Sequence, residues 1–354
     1  MAARRCPENP ILTPAMIRPS REGFDVVGVF NPAAIALADG TTALVLRVAE
    51  APRAGADEVA AAVYDPAAGA LAIRRWQRDA PGVDLGDARE IVVDGETFLT
   101  SISHLRLARS RDGVRFEVED QPLLAPAHPL EAFGVEDARV TFLEGRYLLN
   151  YTAVSPAGIA TGLAVSDDLA NWQRCGVVFA PPNRDVTIFP ERIGGHYAAL
   201  HRPMPHGLGR PAIWYATSPD LVHWGNHQLV AARRADAWDD QKVGGGAVPF
   251  RIERSALRGW LALYHGVTER PLTYSLGALL LDPDDPRRVI ARSRAPVLRP
   301  EADYEMRGFF GNVVFTCGAI LRGDEVRIYY GAADGVTAMA DVPLDDILAG
   351  LGDP

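Results

Sequence analysis

The sequence predicts an all-β fold made of five repeated units, and three observations lead to this prediction. Short strand-like runs with period-two alternation, such as those at 147–151, 213–217 and 326–330, are separated by clusters of Gly, Pro and Asp. Helical periodicity is almost absent, apart from a segment at 344–351 that predicts a short C-terminal helix. A turn glycine followed by an apolar and aromatic run recurs five times.

The repeated runs predict the number of structural units. They are GTTALVLRV, GRYLLNYTA, GHYAALHRP, GWLALYHGV and GDEVRIYYG, beginning at Gly40, Gly145, Gly195, Gly259 and Gly323. Gaps of 105, 50, 64 and 64 residues between these glycines suit four-stranded units with variable loops and one large insertion in the first gap. Five copies therefore predict a five-bladed β-propeller, in which equivalent strands converge on one channel. We expect residues 1–354 to form one catalytic domain.

A β-sandwich is the alternative, but it gives no reason for the side chains at the sixth and seventh positions after each glycine. Those positions hold Leu46 and Arg47, Tyr151 and Thr152, His201 and Arg202, His265 and Gly266, and Tyr329 and Tyr330. In a propeller, this register would collect His, Arg and Tyr side chains around one mouth.

A second pattern accompanies the first at 108–116, 164–172 and 216–224. Each copy has a Ser, an Asp two residues later and an aromatic residue four further on. This layout suits a strand that enters a polar turn, so we interpret the pattern as structural rather than sugar-binding.

Composition and charge limit the partners of the chain. With 48% hydrophobic and 23% charged residues, the composition is that of an ordinary globular protein. The formal net charge of -9 argues against nucleic-acid and anionic-membrane partners, which favour a basic surface. Any anion must therefore bind in a local basic pocket.

The cysteines and the missing motifs exclude several classes of site. Cys6, Cys175 and Cys317 are widely separated and odd in number, so neither a disulfide framework nor a zinc site is predicted. Neither H-E-x-x-H nor G-x-S-x-G occurs, which disfavours zinc proteases and serine hydrolases. The sequence shows no export or membrane segment. We expect a cytoplasmic protein with reduced thiols that needs no metal or cofactor.

Two carboxylates stand out in the segment GVEDARV at 134–140. Glu136 and Asp137 lie between apolar residues just before a strand, and Arg139 follows. Adjacent carboxylates on an extended strand point to opposite sides, so one of them is expected to face a cavity. A carboxylic acid with a perturbed pKa could there protonate a glycosidic oxygen, whereas a structural ion pair is the alternative.

Basic side chains cluster in the segment 183–203, which contains Arg184, Arg192, His201 and Arg202. A planar guanidinium matches a phosphate or carboxylate in bidentate geometry. Taken singly, each arginine could equally be solvated or ion-paired. Together they predict an anion site.

A lysine before a glycine triplet adds a further basic position. Lys242 can supply a point charge to an anion, and the glycines at 244–246 allow close backbone approach or positive φ. This is not a P-loop, because the GxxxxGK[ST] order is missing, and a plain glycine turn stays open as an alternative. His265 in LALYHGV could donate to a phosphate or fill the channel.

The assembled motifs resemble glycoside hydrolase family 130, the β-mannoside phosphorylases and related β-mannosidases. The resemblance covers 30–333 through FNPAAI, TSISHLRLARSRDG, GVEDARV, IFPERIGGHYAALHRP, KVGGG, YHGV and YYGAAD, in that order. The family is known for a five-bladed propeller, which agrees with the five glycine-led repeats.

The resemblance implies roles for individual residues. Asp137 matches the family's general acid, which passes its proton to the leaving oxygen through a hydroxyl of the mannose. Inorganic phosphate then attacks the anomeric carbon with inversion and gives α-mannose 1-phosphate. Phosphate-binding positions correspond to Arg184, Arg202, Lys242 and His265. Positions that line the mannose site correspond to Asn31, Arg47, Ser103, His104 and Asp334.

Two departures bear on the backbone and the substrate. Many members have proline where this chain has Ala138, so the turn could differ while the acid is intact. Some members carry Arg where this chain has His104, and the His form resembles members that act on β-1,2-linked mannose. We therefore favour β-1,2-linked manno-oligosaccharides and keep β-1,4 linkages open.

Two alternatives to phosphorolysis stay open. Hydrolytic relatives lose part of the cationic set and need a carboxylate base for water, so a β-mannoside hydrolase is the nearer one. A non-catalytic glycan-binding propeller is the other. The loops at 51–94 are expected to shape the acceptor side. The sequence leaves the acceptor sugar, the chain length and the oligomeric state open, a homo-oligomer included.

Overall fold

The computed structural model describes residues 3–254 and 257–354, and in these ranges the regular secondary structure is almost entirely β-strand. Its two α-helices are short, α1 (Asp303–Met306) and α2 (Leu344–Ala349). The all-β class and the C-terminal helix are thus confirmed. Within the described ranges, no helix has both the length and the apolar character needed to cross a membrane.

The strands follow one another with few long connections. In chain order they are β1 (Arg4–Arg5), β2 (Phe24–Ala36), β3 (Thr42–Pro52), β4 (Glu58–Asp65), β5 (Ala70–Gln77), β6 (Val83–Asp84), β7 (Glu90–Val93), β8 (Glu96–Leu99), β9 (Ile102–Ser110), β10 (Glu117–Val118), β11 (Gly134–Leu143), β12 (Arg146–Ser155), β13 (Gly158–Ser166), β14 (Gln173–Phe179), β15 (Asn183–Ile188), β16 (Tyr197–Pro203), β17 (Ile213–Ser218), β18 (Gly225–Ala231), β19 (Lys242–Gly245), β20 (Phe250–Glu253), β21 (Arg258–Glu269), β22 (Leu272–Leu281), β23 (Val289–Ser293), β24 (Val314–Arg322), β25 (Glu325–Ala332), β26 (Val336–Pro343) and β27 (Leu351–Gly352).

Four-stranded antiparallel units recur along the chain, and we number them one to five. They are β2-β3-β9-β10, β11-β12-β13-β14, β15-β16-β17-β18, β19-β21-β22-β23 and β24-β25-β26-β1, each written from its first to its outermost strand. β20 adds to β21 and β27 adds to β23 in unit four. A single parallel bridge, between Gly134 and Ser103, joins units one and two into one sheet.

The N-terminal segment completes the fifth unit. Arg4 pairs with Asp341 and Arg5 pairs with Ala340, which makes β1 the outermost strand beside β26. Neighbouring units contact one another in sequence, and unit five contacts unit one through β24 and β2. Strands from the N-terminal and C-terminal parts of the chain therefore pair within unit five.

Apolar clusters fill the space between neighbouring units, one cluster for each neighbouring pair. Consecutive residues serve different clusters because side chains alternate across a strand. Leu44 packs between units five and one, whereas Val45 packs between units one and two. Likewise Leu148 and Leu149 face opposite neighbours. Both faces of these sheets are buried, which explains why the second strands read as nearly continuous apolar runs.

The glycine-led repeat corresponds to one feature of every unit. Four of the five glycines lie in the turn before the second strand, at β3, β12, β16 and β25, and Gly259 is the second residue of β21. Gly40 and Gly145 have φ values of +84° and +80°, where a residue with a Cβ would be strained. The repeat therefore marks the start of the second strand of each unit.

The Ser-Asp-aromatic pattern is confirmed as structural. The side chains of Asp112, Asp168 and Asp220 each accept two backbone N–H groups of the turn, at 2.8–3.0 Å. The indoles of Trp172 and Trp224 donate to backbone carbonyls of the same turns. These side chains stabilise the turns of the hairpins.

The large first gap is an insertion between β3 and β9. It forms a two-stranded sheet, β4-β5, and a three-stranded sheet, β6-β7-β8. Residues of the second small sheet and its flanks reach the cavity described next.

Candidate active site

A cavity of about 590 Å³ opens where residues of all five units meet. Eight of the ten residues predicted for the site line it, namely Asn31, Arg47, Asp137, Arg184, Arg202, Lys242, His265 and Asp334. Glu136 and Asp185, which carried no predicted role in the site, also line it. Residues more than 300 positions apart therefore share one chamber.

β-bulges place the polar side chains of the first strands. Asn31, Asp137 and Asp185 have φ values of 50°, 49° and 55°, and each lies at a register shift between first and second strands. A bulge inserts a residue and redirects side chains that would alternate in a regular strand. The same local irregularity thus aims one polar side chain from each of three consecutive units into the cavity.

The bulge corrects the prediction that only one of the paired carboxylates faces a cavity. Glu136 and Asp137 both line it, because the strand between Glu136 and Arg139 is not regularly extended. The prediction assumed strict alternation, which the positive φ of Asp137 breaks.

We call Glu136, Asp137 and Asp334, with Arg47, the anionic half of the cavity. The Arg47 guanidinium donates to Glu136 at 2.7 Å and to Asp137 at 3.2 Å. The amide of Asn31 donates to Asp137 Oδ1 at 2.9 Å. Two of the three carboxylates therefore bind the Arg47 guanidinium, and Asp334 is influenced by its charge.

The carboxylates of the anionic half differ in proton affinity. Burial raises the pKa of Asp334 to about 6, and the carboxylates of Asp137 and Glu136 add to that effect. Burial also raises the pKa of Glu136 above its ordinary value. Burial acts in the same direction on Asp137, but Arg47 and Arg184 outweigh it and hold the pKa of Asp137 below the usual range. In the ligand-free site Asp137 is therefore ionised.

We call Arg184, Arg202, Lys242 and His265, with Asp185, the cationic half. Arg202 Nε donates to Asp185 Oδ2, and His265 Nε2 lies 3.6 Å from the same oxygen. Despite burial, Arg202 and its neighbours hold the pKa of Asp185 well below its ordinary value. Asp185 is thus a fixed negative charge that holds cations in place around it.

The cationic half keeps hydrogen-bonding capacity for a ligand. The Nε of Arg184 and the Nδ1 of His265 are buried and have no partner among the described residues. Burial lowers the pKa of His265 to about 3, so its ring is neutral and carries one N–H. Arg184 NH2 lies 3.7 Å from both Glu136 and Asp137, which places it at the border of the two halves.

Lys242 is the only lysine of the chain, among 36 basic residues. It begins β19, lines the cavity and lies 4.9 Å from the ring centroid of Tyr274. No carboxylate lies within 4.0 Å of its ammonium in the part of the chain that the structure describes. An ammonium is a compact point charge, unlike the planar fork of arginine. Lys242 therefore brings a compact positive charge to the cavity.

The glycine triplet is needed for side-chain packing. A Cβ on Gly244 would lie 2.4 Å from His265 and 2.5 Å from Asp185. None of the three glycines has a positive φ, so the expected positive φ is not found and a plain glycine turn does not describe the segment. The glycines belong to β19 and its end, where they let the second and third units approach the fourth.

Asp185 is the residue that the sequence reasoning missed. It occupies the bulge position in β15 that Asp137 occupies in β11, and both precede the apolar part of a first strand. Comparing first strands between units, rather than second strands alone, would have revealed EDAR and RDVT as equivalent segments.

Ser103 and His104 do not line the cavity. Ser103 accepts a hydrogen bond from Arg47 Nε at 2.9 Å, and His104 Nε2 accepts one from Arg106 Nε at 2.9 Å. Both side chains are buried. Their position supports Arg47 and the strand behind it, rather than direct contact with a sugar.

The sixth and seventh positions split between two environments. Arg47, Arg202 and His265 line the cavity, as that register predicted. The neighbouring Tyr151 and Tyr330 instead hydrogen-bond to buried carboxylates outside it. Adjacent residues of a strand face opposite sides, so the predicted ring of His, Arg and Tyr is only partly correct.

The insertion and one loop close the other end of the cavity. Arg89 comes from the inserted segment, and its guanidinium lies 5.1 Å from the ring centroid of Phe310. Phe309, Phe310 and Glu90 line the cavity beside it. No group of three metal-ligating side chains occurs among the residues described.

Comparisons with known proteins identify the family of the chain. The glycoside hydrolase 130 family model, described as beta-1,4-mannooligosaccharide phosphorylase, matches residues 91–351. The chain is 44% identical over 349 residues to the beta-1,2-mannobiose phosphorylase of Listeria innocua, covering 97% of each. It is 37% identical over 249 residues to a 1,2-beta-oligomannan phosphorylase of Thermoanaerobacter, covering 70% of this chain and 80% of the relative.

A solved structure gives the same result. The beta-1,2-mannobiose phosphorylase from Listeria innocua, in complex with beta-1,2-mannobiose, superposes with a TM-score of 0.93 at 43% identity and covers 99% of both chains.

Proposed function

Because the chain belongs to glycoside hydrolase family 130, we propose that it is a β-mannoside phosphorylase and that β-1,2-linked manno-oligosaccharides are its substrates. The observation that carries the proposal is the division of one cavity into an anionic and a cationic half. A carboxylic acid is needed for the leaving group, and pooled positive charge is needed for a phosphate dianion. Both needs are met within one chamber.

In the proposed reaction, a phosphate oxygen attacks the anomeric carbon of the terminal mannose. The glycosidic carbon–oxygen bond breaks, and the leaving oxygen takes a proton that Asp137 supplies through a hydroxyl of that mannose. Inversion gives α-mannose 1-phosphate and a manno-oligosaccharide shorter by one sugar. Phosphate replaces the second carboxylate that an inverting hydrolase would use to activate water.

Arg184, Arg202, Lys242 and His265 are proposed to hold the phosphate. The unpartnered Arg184 Nε and the neutral His265 ring supply donors, and Lys242 supplies an uncompensated charge. Charge-assisted hydrogen bonds of this kind are stronger than neutral ones. They also offset repulsion between phosphate and Asp137.

Phosphate binding would also prepare the acid. Arg184 and Arg47 lower the pKa of Asp137 in the ligand-free site. A dianion beside Arg184 would cancel part of that effect and raise the pKa of Asp137. The acid would thus become protonated when the nucleophile is in place.

The mannose is proposed to bind against the anionic half, with Asn31, Arg47 and Asp334 around it. Ser103 and His104 would act through Arg47 and Arg106, whose guanidinium groups they accept from. Arg89, Phe309 and the inserted sheet would contact the acceptor sugar. This arrangement uses residues from both ends of the chain.

The linkage preference rests on the relatives. The family model is described by a β-1,4 activity, but the two relatives reported above are β-1,2-mannoside phosphorylases. The Listeria innocua enzyme covers nearly the whole chain, including the inserted segment at 51–90 that the family model does not reach. We therefore favour β-1,2 linkages.

A β-mannoside hydrolase is the second candidate function, because Glu136 and Asp334 are further carboxylates in the same cavity. The cationic half argues against it, since a hydrolase has no use for Lys242 without a carboxylate partner. A non-catalytic glycan-binding protein has no use for a carboxylate whose pKa two arginines control.

We also propose that the five units are the blades of one five-bladed propeller spanning residues 1–354. Support comes from the contacts between successive units, the contact of unit five with unit one, and the apolar cluster between each neighbouring pair. The first strands, which carry the bulges, would then surround the central channel.

A cytoplasmic location is part of the proposal. Cys6, Cys175 and Cys317 are all free thiols, which suits a reducing compartment. The substrate and phosphate would then be available together.

Sugar release from β-1,2-mannobiose, measured with and without inorganic phosphate, tests the proposed function. We expect α-mannose 1-phosphate and mannose, and turnover that requires phosphate. Equal rates with and without phosphate would replace the phosphorylase by a hydrolase. Activity on β-1,4-mannobiose alone would overturn the linkage.

The single lysine permits a second test. An amine-reactive reagent can modify only Lys242 and the N-terminal amine, so labelling of Lys242 is readily followed by mass spectrometry. We expect inorganic phosphate, but not chloride at equal ionic strength, to protect Lys242.

A further inference from the structure

Three of the five units contain the same buried group of side chains outside the cavity. In each, a tyrosine of the second strand and an arginine of the outermost strand both bind one carboxylate. The carboxylate lies in the segment that enters the unit from the preceding one. The groups are Tyr151, Arg174 and Glu131 in unit two, Tyr264, Arg292 and Asp239 in unit four, and Tyr330, Arg5 and Glu305 in unit five. We call them triads two, four and five.

The hydrogen bonds of the triads are short and similar. The tyrosine hydroxyl donates to the carboxylate at 2.6, 2.8 and 2.7 Å in triads two, four and five. The arginine donates to the same carboxylate at 3.1, 2.6 and 2.8 Å. All three carboxylates are at most 3% exposed. A buried carboxylate with several donors is held firmly, because losing a donor leaves an unsatisfied charge.

Each arginine also fixes the backbone of the entering segment. Arg174 donates to the carbonyl of Ala125, Arg292 to that of Ala232 and Arg5 to that of Arg299. These carbonyls lie in the connections to β11, β19 and β24. The outermost strand of a unit thus holds the connection that leads into its first strand.

The three entering segments deliver different parts of the candidate active site. The segment of triad two leads to Asp137, which lies six residues after Glu131, the last residue of the 3₁₀ turn Pro129–Glu131. The segment of triad four ends directly at Lys242, three residues after Asp239. Triad five holds the connection that contains Phe310, and its Tyr330 precedes Asp334 by four residues.

Further backbone contacts extend triad five to the sugar end of the cavity. Phe310 N donates to the carbonyl of Ala333 at 3.0 Å, and Ala333 N donates to that of Val313 at 3.0 Å. Val313 N donates to the carbonyl of Glu305 at 3.1 Å. The loop with Phe310 and the turn with Asp334 are therefore fastened to the same helix, α1.

We propose that the three triads are separate positioning devices, each of which sets one component of the active site. Triad two positions the acid Asp137, triad four positions the phosphate ligand Lys242, and triad five positions the sugar-binding Phe310 and Asp334. The proposal rests on the proposed function, which assigns acid, phosphate and sugar to those residues. Through Arg5 and Glu305, the N-terminal strand β1 takes part in positioning the sugar-binding residues.

Units one and three use other anchors. In unit one, Glu50 of β3 accepts from Ser20 and Arg106. In unit three, His201 bonds to Asn183 and His227. The triad is therefore not a general requirement of these units.

Conservative variants test the proposal. Tyr151→Phe, Tyr264→Phe and Tyr330→Phe each remove one hydroxyl donor and keep the ring and the arginine. We expect Tyr330→Phe to raise KM and Kd for β-1,2-mannobiose, and Tyr264→Phe to raise KM and Kd for inorganic phosphate. Tyr151→Phe should lower kcat and leave both KM values unchanged. A lost hydrogen bond predicts changes of about 2- to 10-fold.

Tyr197→Phe is the matched control. Tyr197 also lies in a second strand and donates to a carboxylate that an arginine binds, Glu144 with Arg192. Glu144 follows the far end of β11, about 23 Å beyond Asp137 along an extended strand. This variant should change Tm alone.

If all four variants had the same kinetic constants, the triads would be merely structural. The same conclusion would follow if one and the same constant changed in all three triad variants. Arg5→Lys adds a second measurement, because it keeps the charge and loses the two-point contact with Glu305. It should lie between wild type and Arg5→Gln in affinity for β-1,2-mannobiose, and no difference between the two variants would contradict the positioning role of Arg5. If the proposed function were wrong, the wild-type protein itself would turn over substrate without phosphate.

Discussion

The anionic and cationic halves of the cavity differ in how firmly their charges are fixed. In the cationic half, Asp185 is ionised and buried, and the basic groups around it stay in one arrangement of charge. In the anionic half, three carboxylates lie near Arg47, and their pKa values lie on both sides of the ordinary value. One half suits a ligand of constant charge, and the other suits proton transfer.

The comparison predicts that a proton-carrying residue matters most for the rate. Asp137→Asn should lower kcat by about 10²- to 10⁴-fold, the usual contribution of a general acid. Phosphate affinity, measured by calorimetric titration, should be retained because the cationic half is unchanged. Glu136→Gln is the matched control and should cost less, since the proposed reaction takes its proton from Asp137 and not from Glu136. A greater loss of kcat in Glu136→Gln than in Asp137→Asn would show that Asp137 is not the general acid.

Removing the single lysine should affect the other half selectively. Lys242→Met is expected to raise KM for phosphate by about 10- to 100-fold, as for a lost hydrogen bond to a charged group. KM for β-1,2-mannobiose should stay unchanged in initial-rate measurements. Lys242→Arg restores the charge without the compact shape and should recover part of the affinity. Equal increases in KM for phosphate and KM for β-1,2-mannobiose would show that the two halves of the cavity do not bind separate ligands.

The close packing around Asp185 can be disturbed without changing any charge. Gly244→Ala places a methyl group against His265 and Asp185, and such overpacking costs about 1–3 kcal/mol. We expect a lower Tm and weaker phosphate binding. Gly225→Ala is the control, because a Cβ there meets no atom within 4 Å. Unchanged phosphate binding in Gly244→Ala would mean that the cationic half tolerates rearrangement.

The smallest effect concerns stability and pH. The pKa of Asp334 is about 6 in the folded chain, compared with its ordinary value of 3.8, so the folded state binds this proton more tightly. Stability from this group is present below pH 3.8 and is lost as the pH rises through about 6.

Asp334→Asn should therefore raise Tm at pH 7.5 and leave it nearly unchanged at pH 4 in scanning calorimetry. The exposed Asp57→Asn variant should change Tm little at either pH. The same Tm difference at both pH values would argue that Asp334 is not perturbed.

Much of the site could be predicted because its residues fall in recognisable segments. Eight of the ten predicted residues line one cavity, and they lie in segments at 30–334 that carry the repeats, the basic cluster or the family motifs. The sequence failed where local geometry departs from the regular strand. Because side chains of a regular strand alternate, the sequence predicted that only one of Glu136 and Asp137 faces the cavity. Asp185 was missed because it lies in a first strand and only second strands were compared.

The sequence by itself determined the all-β class, the hairpin repeat and the turn pattern, because glycine turns and Ser-Asp turns depend on a few adjacent residues. Tertiary structure alone decided which charges meet. Arg5 reaches Glu305, Arg47 reaches Asp137, and Asp185 gathers basic groups from units three and four. Such pairs depend on how the units pack, and the interaction of two charges depends on their separation in space rather than along the chain.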